Sequence, residues 1–167
     1  MYGKNNVYGS IVTELLDNFI SPDYVKSISY SLSSGSYNPI TKNLILAVDS
    51  SAESKNKINT HELVHVATSL YAVAYEKYKG IYKDVYYNTS AIDQVLKSNN
   101  IVLTEGQINS FDILADIKDK ATNYILNNQQ FVDKINKKYP TGTATYFLTE
   151  PNKYSLHEFI SEIFTNP

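Results

Sequence analysis

The stretch THELVHVATSLYAVAYEKY, residues 60–78, carries most of what this sequence says about its fold. Leu63, Val64, Ala67, Leu70, Tyr71 and Ala74 recur at helical spacing, so the segment is predicted to be an amphipathic helix. His61 and His65 stand four positions apart, and Glu62 follows the first of them. On a helix, positions four apart lie on one face, so both imidazoles can aim at a common point. Zinc accepts neutral imidazole nitrogen at about 2.0–2.1 Å and favours tetrahedral coordination. Glu62 projects beside that point, where a carboxylate can activate a water held by a metal without binding the metal itself. The bland alternative is two ordinary histidines sharing a helix face. Histidine is scarce, with three in the chain, and that scarcity favours the metal reading.

Outward from this helix the chain divides into short segments. Val7 to Ile20 is apolar at Val7, Ile11, Val12, Leu15, Leu16 and Phe19 and reads as an amphipathic helix, ended by Ser21-Pro22-Asp23. Val25 to Leu32 alternates like a strand, Ser33 to Pro39 is a turn cluster, and Asn43 to Val48 reads as a second strand. The two strands are expected to form a hairpin. A polar loop, Asp49 to Asn59, is expected to lead into the helix, with Thr60 helping to cap it. Tyr75 to Tyr87 is ambiguous, and Glu76 is taken as an exposed position. Helical patterns follow at Glu105 to Leu126 and Gln129 to Tyr139, and Pro140-Thr141-Gly142 breaks the chain. The last segment, YSLHEFISEIF, is helical, with Leu156, Phe159, Ile160 and Ile163 on its apolar face. The predicted fold class is α+β, a small N-terminal sheet packed on a mainly helical body, in one domain spanning 1–167.

Bulk properties narrow the function. The chain has 167 residues, 43% hydrophobic and 19% charged, enough for a genuine core. Net charge is -2, and all 15 basic residues are Lys, so no arginine forks onto phosphate or guanine. Nucleic acid and membrane are therefore not expected as partners; it is the HELVH pattern, and not the composition, that points to a peptide or protein substrate. Cysteine is absent, which excludes disulfides and thiolate metal sites. No signal peptide or membrane-spanning run is legible. That is compatible with secretion within a longer protein, with a phage-associated protein, or with a domain excised from a larger chain.

A catalytic zinc needs a third protein ligand, with water in the fourth place. The extended motif of the metzincins would require Gly at Thr68 and His at Tyr71, and Gly142-Thr143 is not followed by an aspartate. Glu158 is the best remaining candidate. Glu162, one helical turn later, can accept a hydrogen bond from the other ring nitrogen of a ligand histidine, fixing its tautomer. Two solvated helix carboxylates are the plain alternative.

HELVHVAT followed by HEFISEIF resembles the gluzincin metallopeptidases, including thermolysin-like and lethal-factor-like catalytic domains and the metallopeptidase domains of phages and mobile elements. The resemblance covers the two motifs and the element order. It implies one Zn2+ per chain held by His61, His65 and Glu158, with Glu62 as general base and Glu162 supporting a ligand histidine, His61 by preference. The implied activity is hydrolysis of peptide bonds. Such enzymes place a tyrosine shortly before the ligand glutamate to hold the oxyanion. Pro151 occupies the usual spacing here, which leaves Tyr146 and Tyr154 as candidates. His157 is expected to point off the Glu158 face, as a surface or substrate-side residue. The interval from His65 to Glu158 is longer than in those relatives. The competing expectation is a virion or mobile-element interaction module that keeps the fold with little turnover. The Asn43 to Val48 strand is expected to pair with an extended substrate if its edge is free.

Overall fold

The computed structural model describes residues 22–49, 51–83, 87–138 and 155–165. The expected N-terminal helix, Val7 to Ile20, lies outside them, as do Tyr146 and Tyr154. After a 3-10 turn at Pro22–Tyr24 come strands β1 (Ser27–Ser31), β2 (Ser36–Asn38) and β3 (Asn43–Ala47). Among the described residues five helices follow: α1 (Ala52–Tyr78), α2 (Thr89–Ser98), α3 (Glu105–Asn127), α4 (Gln129–Lys138) and α5 (Leu156–Thr165). The class is α+β, a small sheet on a largely helical body.

The sheet departs from the expected hairpin. Its order is β1-β3-β2, with β1 parallel and β2 antiparallel to β3. The presumed turn cluster holds a strand, and the real hairpin is β2–β3. Its turn is built by Asn38, whose side-chain oxygen accepts from the backbone N–H of Ile40 and Thr41, and by Lys42 at a φ of 56°. β3 is therefore central and has no free edge. Leu44 and Ala47 of β3 are buried, and Leu44 packs with Tyr37 of β2 and Val66 of α1.

α1 is 27 residues long, roughly 40 Å at 1.5 Å per residue. It begins at Ala52, not at Thr60: Ser51 is the N-cap, its hydroxyl accepting from the N–H of Ser54 at 3.3 Å. The supposed polar loop is thus mostly helix. Its first turns are polar and show no apolar period, and Thr60 is buried inside the helix. Gly80, at φ 69°, follows the other end. Two further apolar clusters grip α1. Val64, Ala72 and Tyr75 meet Phe111 of α3 and Leu156, Phe159 and Ile160 of α5. Leu70 and Val73 meet Ile92 and Val95 of α2. No helix among the described residues is long and apolar enough to cross a membrane.

Candidate metal centre

α5 meets α1 because its apolar residues insert beside Val64 and Ala72 and because its start is tied down. The Leu156 N–H donates to Glu76 Oε1 at 3.0 Å, so Glu76 is half-buried and working rather than exposed. This docking sets Glu158, in the first turn of α5, against the histidine face of α1. His61 Nε2 and His65 Nε2 are 3.0 Å apart. Glu158 Oε2 lies 3.4 Å from the first and 3.3 Å from the second. All three residues thus offer a ligand atom within 4.8 Å of one another, a group able to hold a metal ion.

The remaining ring nitrogens are also occupied. His65 Nδ1 is 3.1 Å from Ser161 Oγ, and His61 Nδ1 is 3.4 Å from Thr165 Oγ1 and 3.7 Å from Glu162 Oε1. Thr165 Oγ1 donates to the Ser161 carbonyl at 2.7 Å, which fixes its rotor. Ser161 and Thr165 were not anticipated from the sequence. Their signal is there, however: Glu158, Ser161, Glu162 and Thr165 fall at i, i+3, i+4 and i+7, a polar stripe on an otherwise apolar helix.

Glu62 is buried, and the backbone N–H of Tyr37 donates to its carboxylate. The loop from β1 to β2 closes over it at Gly35. A Cβ there would sit 2.7 Å from Glu62 Cγ and 2.8 Å from Ile58 Cγ2, so only glycine permits the approach. A cavity of about 240 Å3 opens in front of Glu62 and the three converging side chains, with Tyr37, Tyr87 and His157 on its far walls.

His157 is buried and not at the surface, but it does stand on the substrate side, lining the cavity. It is 3% exposed, packed edge-on to His65 at 5.3 Å, with Nδ1 3.0 Å from Ser155 Oγ. Leu156, His157, Phe159, Ile160, Ser161 and Thr165 are all buried, so α5 is covered on more than one face. Tyr87, in the segment before α2, was not singled out. Its ring lies 6.1 Å from that of His157 and walls the cavity.

Comparison with family models, curated proteins and solved structures finds no match. The site therefore has to be read from its own electrostatics. Burial raises the Glu62 carboxyl, against the opposing pull of His65 and His61. Burial would also raise Glu158, but hydrogen bonds from His61 and His65 hold it well below the usual carboxylate range. Burial would lower His61, yet Glu158, Glu62 and Glu162 together raise it. Desolvation pushes His157 down to about 4, so it is neutral at pH 7. Desolvation, with the nearby charge of Glu158, raises Tyr87, which stays a phenol. The cleft thus offers two imidazoles and a carboxylate as donors, a second carboxylate made more basic by burial, and a phenolic hydrogen-bond donor.

Proposed function

We propose that the chain is a zinc-dependent peptidase of gluzincin type. The observation that carries this reading is the triangle of His61 Nε2, His65 Nε2 and Glu158 Oε2, with Glu62 beside it on the same cavity. Donors about 2.0–2.1 Å from a tetrahedral zinc stand roughly 3.3 Å from each other, close to the spacings found here. The donor chemistry fits as well: neutral imidazoles with a carboxylate suit Zn2+, and the buried hydroxyls and carboxylate behind the histidines can hold their Nδ1–H groups.

When bound, the metal supplies Lewis acidity to the scissile carbonyl and lowers the pKa of the attacking water. Glu62 takes the proton of that water as the oxygen–carbon bond forms, then passes it to the amine nitrogen as the carbon–nitrogen bond breaks. Its raised pKa suits both transfers. The Tyr87 hydroxyl donates to the carbonyl oxygen as charge builds there. His157, neutral and packed against His65, backs the Tyr87 ring. The substrate lies extended along β2, the edge strand whose Ser36 and Tyr37 line the cavity, and not along the enclosed β3.

The test pairs metal analysis of the purified protein with digestion of a broad peptide library, for wild type and Glu62→Gln. Zinc in both proteins with cleavage by wild type only supports the reading. Cleavage by both removes Glu62 from its role. Cleavage by neither favours an interaction module on this fold.

A further inference from the structure

A second cavity, also about 240 Å3, lies beyond Gly35 and Glu62 on the opposite side from Tyr87 and His157. Its own walls are Ser33 and Ser34 from the β1–β2 loop, Lys57 and Ile58 from α1, and Glu162 and Thr165 from α5. It shares Gly35, His61 and Glu62 with the first cavity, so the two adjoin across these residues.

The charges in this extension are unevenly matched. Glu162 faces His61 at 3.7 Å, and Glu62 accepts from the Tyr37 N–H. Lys57 is half-buried and has no ion pair or hydrogen bond among the described residues. A carboxylate entering the cavity within reach of the Lys57 ammonium would gain a charge-assisted hydrogen bond. Lys57 and Ile58 also offer aliphatic surface to the stem of such a group. The volume admits one side chain: a water takes about 30 Å3 of liquid.

We propose that this cavity is a carboxylate-accepting subsite, with Lys57 selecting substrates that place an anion one side of the bond to be cut. The proposal rests on the peptidase reading. The carboxylate comes either from an aspartate or glutamate side chain or from a peptide's own C-terminus.

Two randomised decapeptide libraries, one containing and one lacking Asp and Glu, each with free or amidated C-termini, separate these sources. Wild type, Lys57→Met, Lys57→Arg and a Lys57→Glu variant are compared by mapping cleavage sites with mass spectrometry. Capture of the same libraries on immobilised Glu62→Gln protein, with and without Lys57→Met, measures binding apart from turnover. The expected result is enrichment of about tenfold for acidic residues at one fixed position from the cut, or for cuts at a fixed distance from a free C-terminus. Lys57→Arg keeps it, Lys57→Met abolishes it, and Lys57→Glu reverses it. Cleavage or capture with no anionic preference, or a preference that Lys57→Met leaves intact, overturns the proposal. If wild type cuts nothing, the peptidase reading falls, while the capture experiment still decides the role of Lys57.

Discussion

At the scale of single residues, the three proposed donors and the proposed base separate by what each variant leaves behind. Alanine at His61, His65 or Glu158 is expected to cut zinc occupancy sharply from about one per chain, as measured by elemental analysis. Full metal retention in all three would show the site misassigned. Glu62→Gln keeps the acceptor shape without basicity, so zinc stays while hydrolysis falls about 100-fold or more. Tyr87→Phe removes one hydroxyl from the cavity wall. The expected outcome is unchanged zinc and KM with kcat lowered about 100-fold; an unaltered kcat would leave Tyr87 a packing residue. Glu162 faces His61 Nδ1, so Glu162→Ala should weaken zinc binding about 10–100-fold, less than Glu158→Ala and more than a change at the exposed Glu105. His61, Glu62 and His65 could be found in the sequence because their chemistry depends on spacing along one helix. Tyr87 could not, because a single tyrosine among 15 acquires meaning only from the ring it faces.

At the scale of elements, the α1–α5 junction turns on Glu76. Burial raises its carboxyl, partly offset by the Leu156 N–H and by Lys118 and Lys83. A carboxyl with a raised folded pKa holds its proton more tightly in the folded than in the unfolded chain. Its contribution to stability is therefore complete below the ordinary carboxylate pKa and is lost as pH rises through the raised value. Glu76→Gln keeps an acceptor for Leu156 without the buried charge, so denaturant melts should show a flatter pH dependence and no loss at pH 7. Glu76→Ala leaves the N–H unpartnered and should cost about 1–2 kcal/mol. If both variants behave alike, the hydrogen bond is not what anchors α5. The same elements show how much of the fold the sequence disclosed. α3 and α4 were legible from period alone, α3 because it runs for 23 residues and α4 because Phe131, Val132 and Ile135 share one face of its 10. β2 was not: Ser36-Tyr37-Asn38 is too short to show alternation, so the central place of β3 stayed hidden. α2 went unread although Ala91, Ile92, Val95 and Leu96 fall at i, i+1, i+4 and i+5; the pattern spans under two turns, and Asn88 capping it resembles any loop asparagine.

At the scale of the whole molecule, a metal at this site would join helices whose donors are far apart in sequence, His65 and Glu158. Binding only to the folded chain, zinc at 100 times its Kd should add about 2.7 kcal/mol of stability. Chelation should lower the Tm, and Glu158→Ala should erase most of that difference; a Tm indifferent to zinc would mean that the donors do not act together. The arrangement also sets an order of events during synthesis. His61, Glu62 and His65 leave the ribosome well before Glu158, and α1 can fold while α5 is still untranslated. A nascent chain therefore carries the base and two donors but not the third. The peptidase proposed here stays silent toward its own unfinished body and its neighbours on the polysome until α5 has docked.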